Sequence, residues 1–205
     1  TDGLQKEFGE KRVIDTPLSE LGILGSAVGM AIYGMKVVAE IQFSGFIYAG
    51  FDQLISHAGR IRSRSRGKFH CPLVVRAPAG GGIRALELHC EQGESIFAHT
   101  PGLKVVIPST PYDAKGLLTA AIKDPDPVIF LEPMRIYRAI KEEVPEEEYE
   151  VEIGKAKVAQ EGSDVTVITW GALVKYTLDA VKKIQDSVSV EVIDMRTIYP
   201  FDIET

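Results

Sequence analysis

One acidic side chain, Glu20, stands at the head of an apolar stretch in which no charge occurs until Lys36. The stretch 21–35 contains four glycines and no charged residue. An ionised carboxylate is costly to bury without a partner. Glu20 is therefore either a first-turn acid stabilised by the helix dipole or a buried group that meets a ligand. The residues alone favour the first reading and leave the second open.

A histidine, His89, lies among polar groups in the segment Leu88–Gln92, beyond the glycine-rich loop Ala79–Gly82. Imidazole titrates near neutral pH and suits proton transfer. A lone histidine is more often a structural residue than a catalytic one, so both roles stay open for His89. We interpret His57, within a predicted helix, as structural.

Two further patterns could contact phosphate. The Ala79–Gly82 loop follows a strand, but the sequence has neither a GxGxxG nor a GxxxxGK[ST] pattern, so we predict a turn near a site rather than a nucleotide cradle. Basic residues occupy every second position from Arg60 to Lys68. A solvated helix end is the simplest reading, and a partner-binding surface or an active-site loop is the alternative.

Composition limits the class of protein. The 205 residues are 45% hydrophobic and 25% charged, with a net charge of −6, as in an ordinary folded protein. The negative charge argues against general binding to nucleic acid or to an anionic membrane surface. The longest uncharged stretch is shorter than the roughly 20 residues of a membrane span. Cys71 and Cys90 form neither a metal-ligand spacing nor a disulfide framework, so we expect a reducing, intracellular compartment.

The glycine-rich stretch is predicted to be a helix that positions Glu20. Thr16 suits the N-cap and Pro17 the first helical position, and the helix is expected to run to about Tyr33. Glycines lower helix propensity by about 1 kcal/mol each relative to alanine. The small residues Gly25 and Gly29 therefore predict a face that another backbone approaches closely.

Strands and helices alternate along the rest of the chain. Strands are predicted at 36–43, 71–76, 103–107, 128–131, 164–170 and 188–193, and helices at 49–61, 111–123 and 173–184. Ser109 or Thr110 caps the helix that begins at Pro111. This alternation predicts an α/β fold, a parallel sheet with helices on both faces.

The composition changes after residue 140. Seven glutamates lie between Lys141 and Glu152, and they predict a solvated acidic linker. We therefore divide the chain into residues 1–140, a linker at 141–157, and the start of a second α/β domain at 158–205.

Seven stretches match a known family pattern: Arg12–Glu20, Ala39–Phe43, Phe51–Gln53, His99–Pro108, Asp113–Leu117, Glu161–Thr166 and Val192–Thr197. Through them the chain resembles the β subunit of the thiamine-diphosphate-dependent E1 component of 2-oxo acid dehydrogenase complexes, of the branched-chain, pyruvate or acetoin type. The resemblance implies a pyrimidine-binding, transketolase-like domain followed by the start of a transketolase C-terminal-like domain. The β chains of the family are longer at both ends, so we expect this chain to be a fragment.

The resemblance also implies cofactors and partners. The family forms an α2β2 heterotetramer, binds thiamine diphosphate between the α and β subunits, and holds the diphosphate and Mg²⁺ on the α subunit. An E2 lipoyl acyltransferase accepts the acyl group derived from a 2-oxo acid. The expected location is the cytoplasm in a prokaryote or the mitochondrial matrix in a eukaryote.

Residue roles carry over at matching positions. Glu20 matches the glutamate that hydrogen-bonds N1′ of the aminopyrimidine and activates the cofactor. Phe46 matches the aromatic residue that stacks on the pyrimidine ring. His89 matches the histidine that serves the substrate or the acyl transfer to lipoamide.

A potassium site built largely from backbone carbonyls is also implied, at Cys71, Leu73, Val74, Ala121, Asp124 and Asp126. Asp126 departs from the asparagine that relatives often have there. Two alternatives to the E1 reading remain: half of a transketolase-like or deoxyxylulose-phosphate-synthase-like enzyme, and a non-catalytic dimerisation module.

Overall fold

The computed structural model describes residues 2–205. The α-helices are α1 (Leu4–Phe8), α2 (Glu20–Ile32), α3 (Ile61–Arg64), α4 (Glu94–Ala98), α5 (Pro111–Lys123) and α6 (Ala172–Val181). The strands are β1 (Val37–Glu40), β2 (Leu73–Ala79), β3 (Lys104–Val106), β4 (Val128–Pro133), β5 (Lys157–Gln160), β6 (Val165–Thr169), β7 (Val190–Asp194) and β8 (Thr197–Tyr199). Short 3-10 or π turns occupy Ser44–Gly50, Gln53–His57, Ala58–Arg60 and Met134–Ile136.

The main sheet has five strands in the order β1-β2-β4-β3-β8. The first four are parallel, so their carboxyl ends lie at one edge. The predicted α/β architecture is confirmed. The fifth strand is a difference: β8 comes from the end of the chain and pairs antiparallel with β3.

Both faces of this sheet are covered. Side chains alternate along each strand, so neighbouring residues of one strand pack on opposite faces. Leu73, Val75 and Leu131 point towards α2 and the turns that follow β1. On the opposite face, Val74 and Phe130 pack against α5. The helix α5 was predicted correctly, with Thr110 at the N-cap accepting a hydrogen bond from the amide of Asp113.

Helix α2 begins later than predicted. Its N-cap is Ser19, whose carbonyl accepts the first helical bond from the amide of Ile23 at 2.8 Å, so the expected cap at Thr16 is wrong. Leu18 is 84% exposed, and an extra turn towards Pro17 would bury little apolar surface. Glu20 is consequently the first residue of the helix.

The predicted helix at 49–61 is not regular. The chain there passes through 3-10, π and 3-10 turns before α3. Two close contacts coincide with these changes: a Cβ at Gly50 would lie 2.9 Å from the Glu20 carbonyl oxygen, and one at Gly59 would lie 3.0 Å from that of Pro101. Tertiary packing here overrides the helical pattern of the sequence.

The second unit is a three-stranded sheet in the order β5-β7-β6, packed on α6. Strand β5 was not predicted. The acidic segment before it is not simply solvated, because Tyr149 stacks on Tyr112 of α5 with centroids 4.5 Å apart, and Val151 is only 8% exposed. None of the helices in residues 2–205 combines the length and the apolar character that a membrane crossing requires.

Candidate cofactor site at the carboxyl edge of the sheet

Glu20 lies at the amino end of α2 with its side chain partly buried. Within residues 2–205, its carboxylate receives no side-chain hydrogen bond and forms no ion pair. The dipole of α2 favours a negative charge at this end. The carboxylate is therefore free to accept a donor from a ligand.

Phe46 and His89, far apart in sequence, meet in space. Their ring centroids are 5.1 Å apart with planes at 78°, and Phe43 completes the group at 4.6 Å from His89 and 5.9 Å from Phe46. Edge-to-face contacts of this kind add to the stabilisation from burial. This group, Phe43, Phe46 and His89, is called the aromatic cluster below.

The 3-10 segment Ser44–Gly50 links the aromatic cluster to α2. At one end, Gly50 lies against the backbone of Glu20. At the other, a Cβ at Gly45 would lie 2.3 Å from the Leu88 carbonyl oxygen, and the Ser44 hydroxyl donates to the Glu91 carbonyl at 2.7 Å. One short segment thus contacts both the helix that carries Glu20 and the loop that carries His89.

The tautomer of His89 follows from its one polar contact. Its Nδ1 lies 3.0 Å from the Glu87 carbonyl oxygen. A carbonyl only accepts, so Nδ1 carries the hydrogen in this contact, and Nε2 of the neutral ring is left as an acceptor. The arrangement can hold a proton at Nε2 and present it to a neighbouring ligand.

Phe43 is the site residue that was missed from the sequence. It ends the stretch Ala39–Phe43, which was matched to the family and included in a strand predicted at 36–43 without a site role, although β1 stops at Glu40. An aromatic residue just beyond the carboxyl end of a parallel strand was the available signal, because ligands bind along that edge.

The residues predicted for a potassium site lie around the amino ends of β2 and β4, at the opposite edge of the main sheet from Phe46 and His89. The Cys71 amide donates to the Pro125 carbonyl at 3.2 Å, and the Asp126 amide to the Asp124 carboxylate at 2.9 Å. Burial, and then the charge of Asp126, raise the pKa of the Cys71 thiol to about 12, so this thiol stays protonated.

Both carboxylates of this group already have cationic partners. Asp124 pairs with Lys104, and Asp126 with Arg62 at 2.8 Å. Backbone carbonyl oxygens are therefore the ligands that remain for a cation. Within residues 2–205 there is no cluster of three or more His, Cys, Asp or Glu side chains able to hold a metal ion.

The alternating arginines contact mostly their own segment. Arg60 donates to the Ile55 carbonyl at 2.9 Å, and Arg64 to the Ser56 carbonyl at 2.7 Å. All five basic residues from Arg60 to Lys68 are exposed, which agrees with the solvated helix end.

An acid, an aromatic cluster and a histidine at the carboxyl edge of a parallel sheet are typical of an α/β domain that binds a cofactor. Residues 1–139 match the family model described as "Transketolase, pyrimidine binding domain", and residues 154–205 match "Transketolase, C-terminal domain". The chain belongs to the transketolase pyrimidine-binding family. A solved chain described as "Split gene transketolase, inactive beta4 tetramer" has the same fold, with a TM-score of 0.76 at 19% identity over 98% of this chain and 64% of that one.

Curated relatives are much closer in sequence. Proteins named pyruvate dehydrogenase E1 component subunit beta are 62% identical in Acholeplasma laidlawii, 54% in Staphylococcus epidermidis and 53% in Bacillus subtilis. Each match covers 100% of this chain. The chain spans 63% of the length of these relatives.

Proposed function

We propose that the chain is part of the β subunit of a pyruvate dehydrogenase E1 component and supplies the pyrimidine half of a thiamine diphosphate site. The observation that carries the proposal is the link from Glu20, through the Ser44–Gly50 segment, to Phe46 and His89. The names of relatives 52–62% identical to this chain support pyruvate rather than a branched-chain or acetoin-type substrate.

The donor set fits the pyrimidine end of this cofactor. Glu20 offers an unpaired carboxylate to a ring nitrogen, and Phe46 offers an aromatic ring to a planar heterocycle. When bound, thiamine diphosphate supplies the electron sink for decarboxylation.

Each residue then has one task. Glu20 holds a proton between its carboxylate and N1′ of the pyrimidine. Phe46 fixes the ring plane and excludes water from one face. His89, through Nε2, exchanges a proton with the substrate or with the incoming lipoyl group.

This half-site requires a partner. We assign the diphosphate and its Mg²⁺ to an E1 α subunit in an α2β2 heterotetramer, and acyl transfer to an E2 lipoyl acyltransferase. The bacterial origin of the relatives supports the cytoplasmic alternative for location.

The test is reconstitution of the complete protein with an E1 α subunit, thiamine diphosphate and Mg²⁺, followed by dye reduction with pyruvate and with branched-chain 2-oxo acids. We expect turnover that depends on the α subunit and is fastest with pyruvate. Transfer of a two-carbon unit from a ketose phosphate instead would support the transketolase-like alternative. Failure to bind either the α subunit or the cofactor would support the dimerisation module.

We further propose a potassium ion among the backbone carbonyls near Cys71, Leu73, Val74, Ala121, Asp124 and Asp126. The carbonyls of Cys71 and Ala121 each accept one amide hydrogen bond, from Leu73 at 2.8 Å and from Asp124 at 3.3 Å, and a carbonyl has a second lone pair. Melting in KCl and in choline chloride at equal ionic strength tests the site. A higher Tm in KCl is expected, and equal values would contradict the proposal.

A further inference from the structure

The loop Gly80–Gln92, which carries His89, is held differently at its base and at its tip. At the base, the Gly80 amide and the Ser44 hydroxyl both donate to the Glu91 carbonyl, at 3.0 and 2.7 Å. The tip, residues 81–88, is exposed throughout. Within the described residues 2–205, one hydrogen bond reaches the tip from outside the loop, from Arg135 Nη1 to the Gly82 carbonyl.

The tip contains two residues in an unfavourable backbone conformation that contacts from outside the tip must stabilise. Arg84 and Leu88 have positive φ values, of 60° and 67°, which are unfavourable for residues with a Cβ. Such conformations persist when surrounding contacts determine them. Leu88 is braced by Gly45, and Gly82 by Arg135.

Arg135 is itself anchored in the second unit. Its Nε donates to the hydroxyl of Tyr176 on α6, and its guanidinium carbon lies 5.4 Å from the centroid of that ring. Arg135 therefore connects the tip of the His89 loop to α6.

Gly82 is adapted to this contact. Its φ is +86°, and a Cβ there would lie 2.3 Å from Arg135 Nη1. Any larger residue would have to displace the guanidinium group as well as adopt a strained backbone.

We propose that Arg135 is a positioning residue, which fixes the His89 loop relative to the second unit through Gly82 and Tyr176. Its effect on turnover rests on the function proposed above, whereas its effect on loop mobility does not. For this reason the experiment measures both.

The variants are Arg135→Met, which keeps most of the stem, Arg135→Lys, which keeps one donor, and Tyr176→Phe, which keeps the ring. Arg138→Met, at an exposed arginine three residues away, is the matched control. Amide hydrogen exchange of residues 80–92 is measured first in the complete protein without cofactor. We expect exchange to be about tenfold faster in Arg135→Met, as for loss of one charge-assisted hydrogen bond. Arg135→Lys and Tyr176→Phe should be intermediate.

Turnover with the α subunit is measured next. Because the loop carries the proton-transfer group, kcat for pyruvate should fall about tenfold in Arg135→Met while KM changes little, with partial recovery in Arg135→Lys. Unchanged exchange in Arg135→Met would overturn the proposal whatever the activity. Faster exchange together with wild-type kcat would overturn the positioning role. Faster exchange with no 2-oxo acid activity in the wild type would instead overturn the proposed function and leave the loop contact supported.

Discussion

Arg196 and Asp113 form a buried ion pair that joins the two units of the chain. Arg196 Nη2 lies 2.6 Å from Asp113 Oδ1, and the Asp113 side chain is fully buried at the start of α5. Arg196 adopts a positive φ of 55°, and its carbonyl accepts from the Ile107 amide at 2.8 Å. Arg196 lies between β7 and β8, and it contacts the first unit twice: its side chain pairs with α5, and its backbone bonds to the segment that follows β3.

Arg196→Met should lower the free energy of unfolding by about 3–5 kcal/mol, because it leaves the fully buried carboxyl group of Asp113 without its cationic partner. Urea denaturation measures the change, with Lys11→Met at an exposed site as the control. If Arg196→Met does not fold, Arg196→Lys, which keeps the charge, provides the measurement. A loss of less than about 1 kcal/mol for Arg196→Met would contradict a structural role for the pair.

Asp194, next to this pair, should make stability depend on pH. Burial raises the pKa of Asp194 above its ordinary value of 3.8, despite hydrogen bonds from the Ser109 hydroxyl and the Arg196 amide. Between these two pKa values the folded protein holds a proton that the unfolded chain has lost. The stability from this group is therefore greatest below 3.8 and declines as the pH rises through the raised pKa.

Asp194→Asn removes this titration; its Oδ1 can still accept from the Arg196 amide, and its Nδ2 can donate to the Ser109 hydroxyl in place of accepting from it. Its stability relative to the wild type should increase as the pH rises from acidic to neutral. Urea denaturation of both proteins across that range provides the comparison. A stability difference that is independent of pH would contradict the assignment.

Gly45→Ala should displace the His89 loop. The new Cβ would meet the Leu88 carbonyl oxygen at 2.3 Å, a backbone atom that cannot move alone. We expect a loss of about 1–3 kcal/mol in the free energy of unfolding, from overpacking, together with lower turnover. Gly81→Ala, which lies in the His89 loop itself and has no atom within 4 Å of its Cβ, is the control. Equal effects of the two substitutions would show that the Gly45 contact does not matter.

Tyr149→Ala should weaken the attachment of the acidic segment to α5. The Tyr149 ring stacks on Tyr112, and its hydroxyl donates to the Tyr112 carbonyl at 2.8 Å. We expect faster proteolysis within residues 141–152 and a loss of about 1–2 kcal/mol in stability. Tyr149→Phe, which keeps the stack, should lose less, and identical digestion of all three proteins would argue against this tether.

The regular elements of the first unit were predictable because their hydrophobic patterns reflect burial against one sheet. Helix α5 is an example, since Thr110 and Pro111 mark its start and Leu117 and Ala121 recur on its buried face. The short strands β5 and β8 were not predictable, because each depends on a distant partner strand rather than on a local pattern.

The candidate site also combines residues that could be identified from the sequence with contacts that depend on distant parts of the chain. Glu20, Phe46 and His89 were identified by resemblance, not by spacing, since Glu20 and His89 lie 69 positions apart in the sequence. The position of Phe43 in the aromatic cluster depends on how the chain turns after β1. The Arg135 contact depends on α6 in the second unit. Neither the position of Phe43 nor the Arg135 contact can be predicted from the neighbouring residues in the sequence.

The kcat of the reconstituted protein bearing Glu20→Gln is the direct test of proton sharing between Glu20 and the cofactor. Glutamine keeps the size of the side chain but cannot hold the proton shared with the pyrimidine. We expect a fall in kcat of at least about 100-fold relative to Glu7→Gln, a substitution of an exposed acid on α1 that serves as the control. A Glu20→Gln protein that turns over pyruvate at a near-normal rate would contradict this proton sharing.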